Sequence, residues 1–593
     1  MIQKLRPGST RRSFVASAPL LAALGACAAH PSGQSLALGG AGADRPDIIM
    51  IVLDDVGFSD LGAFGSEIRT PNMDALAAGG LRYNRFDTRA VCTATRAALL
   101  TGRNNQTVGL ADLPAETPQG PENQTKDRGE LPSNAPLVSE TLHAAGYATY
   151  AVGKWHVAPE YEDGSPGKNG SWPLQRGFDR YYGFPSGWTD QYHPTLLEGN
   201  AQIATPQREG YHLSADLVDR TIADLRSTPE NKPAFVYLAF GAAHSPIQAP
   251  RAYIDRYAGQ YDRGWDVMRA ERLTRMKALG VVPQDTHLTA HNNGDRLWAD
   301  LSDTEKRVYA RFMETYAGFI EHTDDQIGRL VADLKARGRF DNTLIVLVSD
   351  NGAAGEGGQK GYFEKLYQPS SMTIDDIAAR LDDLGTDKTQ SQYQRPWARL
   401  GTTPFNRYKV WPYAGGVRTP MILSWPAGAD AGAVRDQYVD VIDLAPTFVD
   451  VAGARYETEV KGQPVIPVAG RSLRASLRNP RAPSPREVQY FELRGNRAIR
   501  QGDWRAVAMH QIGTDFDSDR WELFNLAADF SESVDLSARY PEKLSELKAL
   551  WWSEARRYAN PPISEPPERF ARRNSYSDAF PASSQASGPA AGR

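Results

Sequence analysis

The sequence has little cysteine. Cys27 and Cys92 are the two in 593 residues, enough for one disulfide at most, which excludes a stapled scaffold. It also lacks a charge excess: 67 Lys+Arg stand against 71 Asp+Glu, for a net charge of −4. A dedicated nucleic-acid binder needs a clear basic surplus, so that class is excluded. Beyond residue 35 there is no run of about 18 or more apolar residues, and nothing there reads as a membrane-spanning helix. What is present is ordinary globular composition, 41% hydrophobic and 23% charged. Collagen, coiled coil and wholesale disorder are thereby excluded. A chain of this length divides into several folded units, or forms one large α/β domain with a smaller companion.

Residues 1–35 read as a signal segment. Lys4, Arg6, Arg11 and Arg12 precede any acidic residue, and a short apolar stretch follows over 14–29. Thr10-Arg11-Arg12-Ser13-Phe14 resembles a twin-arginine export signal. Leu24-Gly25-Ala26-Cys27 resembles a lipoprotein box, in which the cysteine is lipidated; ordinary cleavage near Ala28 or Ala29 is the alternative. The expectation is an exported protein, periplasmic or anchored to a membrane through a lipid at Cys27.

Four continuous β-branched and aliphatic runs, at 46–53, 148–152, 234–239 and 343–348, read as buried parallel strands. Helical patterns lie between them. Thr70-Pro71 opens one, 135–145 is another, and Ser302-Asp303-Thr304-Glu305 is a capping box for a long amphipathic helix to about Gly338. The alternation predicts an α/β fold, a large mainly parallel sheet sandwiched by helices, over a catalytic domain at 46–453. Ligands then sit beyond the carboxyl ends of the strands. The stretches 250–300 and 352–408 interrupt the alternation as insertions, and 454–480 reads as a linker. Residues 487–494, 502–509 and 521–526 alternate as antiparallel strands do, and 543–558 has a helix pattern. They predict a smaller C-terminal α+β domain with an antiparallel sheet at 481–560. The Pro-, Ser- and Ala-rich tail 561–593 is expected to be flexible.

Chemistry gathers at strand ends. Asp54-Asp55 directly follows the first run, and two carboxylates there crowd like charge unless a cation sits between them. Ser349-Asp350-Asn351-Gly352 directly follows the fourth. Four side-chain oxygens from two strand ends suit Ca²⁺ or Mg²⁺. Cys92 opens a helix-favouring run that Gly102 closes. It therefore stands near a helix N-terminus, where backbone N–H groups and the dipole favour an anion.

Cys92-Thr93-Ala94-Thr95-Arg96, followed by Ala97-Ala98-Leu99-Leu100-Thr101-Gly102-Arg103, resembles the type I sulfatase signature, whose core is Cys-x-(Pro or Ala)-x-Arg. Other positions agree in chain order. Asp54 and Asp55 match the family's paired aspartates, Gly153-Lys154-Trp155-His156 its G-K-W-H run, and His244-Ser245-Pro246 its H-x-P element. Asp350-Asn351-Gly352 matches its D-N-G. Lys409 with Gly415-Gly416 matches its distal lysine and glycine pair, with Ala414 where many members carry Glu. The resemblance spans 46–560, and the insertions are most similar to the bacterial arylsulfatase branch.

The resemblance implies an alkaline-phosphatase-like fold. It implies that a formylglycine-generating enzyme converts Cys92 to Cα-formylglycine. It implies Ca²⁺ held by Asp54, Asp55, Asp350, Asn351 and an oxygen at position 92; the ligand list alone also admits Mg²⁺. The substrate is then a small-molecule sulfate ester, an aryl sulfate by the likeness of the insertions. Trp188, Tyr192 and the 352–408 loop are candidate walls for its pocket. In the implied mechanism Lys154 and Lys409 offset the sulfate charge, and Arg96 orients the nucleophile. Asp350 takes the first proton, His244 or Lys409 protonates the leaving oxygen, and His156 takes the second proton. The rival on the same fold is a phosphonate monoester or phosphodiester hydrolase. Such relatives tend to carry Gln for the second aspartate and His for the asparagine, so Asp55 and Asn351 point to sulfate. A non-catalytic lipoprotein binding sulfated ligands would require Cys92 to stay unmodified.

Overall fold

Residues 45–565, apart from 121, 293, 369 and 370, are described by the computed structural model. The expected signal segment at 1–35, with Cys27, and the tail beyond 565 lie outside the described residues. The four apolar runs are strands buried along their whole length. Asp47–Leu53 (β1), Ala148–Lys154 (β2), Arg180–Phe184 (β3), Ala234–Ala239 (β4) and Thr343–Ser349 (β5) pair in parallel in the order β5-β1-β4-β2-β3. Met421–Ser424 (β6) adds antiparallel to β5. Short strands extend both edges to make a ten-stranded, mostly parallel sheet.

Side chains of β1 show why a continuous apolar run was needed. Ile49, Ile51 and Leu53 enter one core, while Ile48, Met50 and Val52 enter the other. Strand residues alternate between faces, so a strand covered on both sides has no polar position to spare. Cys92–Thr101 (α1), Leu213–Ser227 (α2) and Asp303–Ala336 (α3) supply helical cover, with Leu217 and Phe312 in the first core and Leu99 and Leu100 in the second. The capping box forms at α3: Glu305 N donates to Ser302 Oγ, and Ser302 N donates to Glu305 Oε2 at 2.8 Å.

The two insertions pack on each other. Trp265 meets Trp298 edge-on at 4.7 Å between ring centroids and Trp397 at 5.2 Å. Residues 454–480 carry a small hairpin, Glu459–Val460 with Gln463–Pro464, and Ile466 O accepts from Arg103 Nε at 2.6 Å.

Val488–Leu493 (β7), Asn496–Gln501 (β8), Trp504–Ala508 (β9) and Trp521–Asn525 (β10) form the antiparallel sheet in sequence order. The sequence reading names three of these strands and omits β8. That strand carries Arg497 and Arg500, both buried, with Arg497 over Trp521 and Arg500 over Tyr438. Arg494 and Gly495 turn between β7 and β8 with both φ positive, 55° and 81°, the two-residue hairpin that suits strand twist. One sheet face joins the main core through Phe491, Leu493, Val507 and Phe524. The other packs on Pro541–Tyr558 (α4), whose Trp551 is fully buried and donates Nε1–H to Phe491 O at 3.0 Å.

Trp551→Ala removes the central side chain of that second face and one buried hydrogen bond. A loss of about 3–5 kcal/mol is expected. Urea unfolding followed by tryptophan fluorescence measures it, and an unchanged midpoint would mean that α4 is not anchored through this ring.

Candidate active site

The carboxyl ends of β1, β2, β4 and β5 and the N-terminus of α1 converge on one place. Asp54 and Asp55 leave β1, and Asp350 and Asn351 leave β5. Lys154 ends β2 and His156 follows it at φ 52°. His244 lies after β4, and Cys92 is the first residue of α1. Every one of the predicted site residues is brought into this cluster, and all but the half-buried His156 are buried.

The charges interlock in pairs. Lys154 Nζ lies 2.7 Å from Asp54 Oδ2. Arg96 holds Asp350 Oδ2 through two nitrogens, at 2.7 and 3.1 Å, and reaches Lys154 O and the Tyr237 hydroxyl with a third. Lys409 Nζ sits 3.0 Å from Asp55 and 3.2 Å from Glu356. Asn351 Nδ2 donates to Asp55 Oδ1 at 2.6 Å. His244 turns Nδ1 to Ser245 O at 2.7 Å, leaving Nε2 3.6 Å from Asp55 Oδ2.

The two neighbouring aspartates are driven apart in acidity. Burial and the charge of Asp350 push the Asp54 carboxyl up to about 8, outweighing Lys154. At Asp55 burial acts the same way but loses to Lys409, His244 and the Asn351 hydrogen bond, and the carboxyl is held at about 2. Burial, reinforced by Lys154 and Arg96, keeps His156 neutral well below the usual histidine range. Burial pushes His244 down to about 4 against the pull of Asp55. Lys409 is held cationic because Asp55 and Glu356 outweigh its desolvation.

The donor set fits a hard cation. Asp54 Oδ1 and Asn351 Oδ1 are buried without a hydrogen-bond partner, which is costly unless something electropositive meets them. Ligating atoms of Asp54, Asp55 and His244 lie within 4.8 Å of one another. The oxygens of Asp54, Asp55, Asp350 and Asn351 are the ligand type that Ca²⁺ and Mg²⁺ take. His244 stands beside them, a position that the sequence reading assigned to proton transfer alone.

The Cys92 thiol lies 3.2 Å from His156 Nδ1, and burial pushes its pKa up. Both open on a cavity of about 660 Å³ that also receives Lys409, His244, Glu356, Trp188 and Tyr367. Trp188 and Tyr367 are among the large hydrophobic side chains left exposed among the described residues. Tyr192 does not line it; its hydroxyl donates to Gly385 O, and its ring meets His212. Sequence reasoning missed Glu356, Thr93 and Tyr237. Thr93 Oγ1 lies 3.3 Å from His156 Nδ1. A lone Glu in a glycine-rich stretch and a Tyr inside an apolar strand carry no sequence signal of a partner.

The sulfatase family pattern matches residues 46–454, more than half of the chain. The chain belongs to the sulfatase family. A second pattern, that of the N-sulphoglucosamine sulphohydrolase C-terminal region, matches 406–550. This sulfatase is 31% identical over 471 residues to the arylsulfatase of Klebsiella aerogenes, covering 76% of this chain and 95% of that protein. It is also 31% identical over 521 residues to an uncharacterized sulfatase of Schizosaccharomyces pombe, covering 86% and 93%. The crystal structure of Ps i-CgsB shares its fold at a TM-score of 0.60 and 24% identity, over 91% of this chain and 98% of that one. The phosphonate monoester hydrolase of Silicibacter pomeroyi shares the fold at a TM-score of 0.54 and 18% identity, over 88% and 97%. The sulfatase is thus a sulfuric ester hydrolase with an alkaline-phosphatase-like fold, and its candidate site residues cluster at the ends of the parallel strands.

Ca²⁺ added to chelator-treated protein should raise the thermal unfolding midpoint. At about 100 times Kd the gain is roughly 2.7 kcal/mol. Asp54→Ala should abolish the shift; an identical shift in that variant would place the cation elsewhere.

Proposed function

We propose that the protein hydrolyses aryl sulfates to a phenol and inorganic sulfate through a Cα-formylglycine made from Cys92, with Ca²⁺ among the carboxylates. The observation that carries this reading is the Cys92 side chain at the head of α1, 3.2 Å from the neutral His156, in the same cavity as Lys409. A cation held by Asp54, Asp55, Asp350 and Asn351 would supply charge neutralisation for the sulfate oxygens and would lower the pKa of a hydroxyl beside it.

An aldehyde at position 92 adds water to give a geminal diol. One hydroxyl attacks sulfur, Asp350 takes its proton, and the bond from sulfur to the leaving oxygen breaks. Arg96 fixes Asp350 for that step. Lys154 and Lys409 offset the charge that grows on the sulfate oxygens. Lys409 holds a transferable proton for the leaving oxygen, whereas burial keeps His244 neutral and its Nδ1 is committed to Ser245 O. The second hydroxyl then gives its proton to His156, the carbon–oxygen bond to sulfate breaks, and the aldehyde returns. A thiol has no second hydroxyl, so unmodified Cys92 cannot complete the cycle.

Aryl preference is supported by Trp188 and Tyr367 at the cavity, joined by Leu113, Val91 and Val410. The aromatic faces of Trp188 and Tyr367 suit an aromatic leaving group. The rival reading, a phosphonate monoester or phosphodiester hydrolase, draws on the shared fold of the Silicibacter pomeroyi enzyme. Asp55 and Asn351 favour sulfate over that reading. The proposal includes a formylglycine-generating enzyme as maturation partner. It also includes export through the twin-arginine-like motif, with Cys27 lipidated or removed.

The tryptic peptide spanning 90–96 decides the modification. In active protein it should be lighter than the unmodified peptide by about the mass of one water molecule; an intact thiol in protein that turns over would overturn the mechanism. Cys92→Ala should lower p-nitrophenyl sulfate hydrolysis by roughly a thousandfold or more without moving the unfolding midpoint. Phenyl phosphonate esters should be poorer substrates than p-nitrophenyl sulfate, and the reverse order would favour the rival.

Trp188→Ala should raise KM for p-nitrophenyl sulfate by roughly tenfold, the worth of about one aromatic pair. An alkyl sulfate should be affected less. Equal loss on both substrates would remove the aryl assignment.

A further inference from the structure

Lys409 reaches the carboxylates from a segment whose shape is imposed from outside. Arg407 and Val410 both stand in the left-handed region, at φ 62° and 83°. A β-branched residue is strained there, and such a conformation persists where surrounding structure over-determines it. Two ties come from the catalytic side: Lys409 N donates to Ala353 O at 3.1 Å, and Val410 N donates to Ala90 O at 2.7 Å. The remaining ties come from the C-terminal sheet and the segment after it. Arg505 on β9 donates to Pro412 O. The Tyr413 hydroxyl donates to Glu522 on β10. Ala414 N donates to Glu532 Oε2 at 2.9 Å. Three consecutive residues of the lysine-bearing segment are thus gripped by three side chains, two from the other sheet and one from the segment after it.

Arg505 and Glu532 are buried and paired, Nε to Oε1 at 3.2 Å. Glu532 itself sits at φ 60°, a conformation uncommon outside glycine and asparagine. A buried ion pair is weak evidence for stability as such, since apolar residues of similar volume serve packing as well. Strain on both sides of the contact, at Val410 and at Glu532, points to a held geometry.

We propose that Glu532, with Arg505 and Glu522, is a positioning clamp for Lys409, so that the C-terminal sheet is a working part of the catalytic apparatus. The clamp keeps Lys409 Nζ between Asp55 and Glu356 although none of its three members lines the catalytic cavity. The proposal rests on the reading that Lys409 works on the sulfate ester.

The test is a double-mutant cycle in the full-length, modified protein with p-nitrophenyl sulfate. Lys409→Ala should lower kcat/KM strongly. Glu532→Gln alone should lower kcat about tenfold to a hundredfold through misplacement of the ammonium group. In the Lys409→Ala background Glu532→Gln should cost nothing further, because the group it positions is gone. An equal loss in both backgrounds would make Glu532 a structural residue and overturn the clamp. If Lys409→Ala leaves kcat/KM unchanged, the assigned role of Lys409 fails, a result distinct from failure of the clamp. Should Glu532→Gln not fold, Tyr413→Phe removes the grip of Glu522 by a single hydroxyl. It should show a smaller loss that likewise vanishes without Lys409, and persistence of that loss would refute the proposal.

Discussion

Three buried carboxylates meet at one end of the main sheet, and the rest of the structure is arranged around making that tolerable. Asp54, Asp55 and Asp350 sit on adjacent strands β1 and β5. Each draws its cation from a different element: Lys154 from β2, Lys409 from the segment before β6, and Arg96 from α1. Removing one partner of such a buried pair costs about 3–5 kcal/mol, because the other charge is left uncompensated. The strand order, the docking of α1 and the path of the 402–417 segment are therefore mutually dependent. Even so, the compensation is incomplete on the protein's own terms. Asp54 Oδ1 and Asn351 Oδ1 still lack hydrogen-bond partners, and a hard cation would meet that residual demand.

The apolar layers carry the cost of this polar cluster. β1 is covered on both faces along all seven residues and ends directly in Asp54. The change from continuous hydrocarbon to charge takes place between Leu53 and Asp54. A sheet this well buried keeps its strand ends in register, and register is what brings Asp54 and Asp350 level. Leu53 pairs with Ser349, so the residues that follow them leave the sheet side by side.

Much of this was legible in the sequence. Unbroken aliphatic runs announced β1, β2, β4 and β5, because a parallel strand between helical layers tolerates no polar face. The candidate site residues stand out because Asp54, Asp55, Asp350 and Asn351 follow those runs at once and the others occur in the family's chain order, and the fold brings them together. What escaped had no periodic signature. β8 reads as charged, yet Arg497 and Arg500 stack on aromatic rings in the interior. Glu356 and Glu532 act through contacts with Lys409 and Ala414, far away in sequence. Tyr192 was named for the pocket on its aromatic character alone, and its hydroxyl is engaged with Gly385 instead. Local propensity and motif order are visible in one dimension; long-range satisfaction of a buried polar group is not.

The bond between Asp55 and Lys409 spans 354 positions of chain. During synthesis at roughly 5–20 residues per second, Asp55 emerges tens of seconds before the lysine that will neutralise it. Until then the carboxylate lacks its ammonium partner, and an unpaired charge is costly to bury. His156 follows Cys92 by 64 positions and also arrives early, but the roof that Lys409 and Val410 place beside the thiol does not yet exist. The wall of the cavity beside position 92 is accordingly completed late, by residues from the second half of the chain. In the folded protein the Cys92 side chain is buried and is reached through that cavity. The order in which residues leave the ribosome thus makes this cavity a late feature of the chain, although Asp55 and Cys92, which it needs, are among the first residues of the sheet domain to appear.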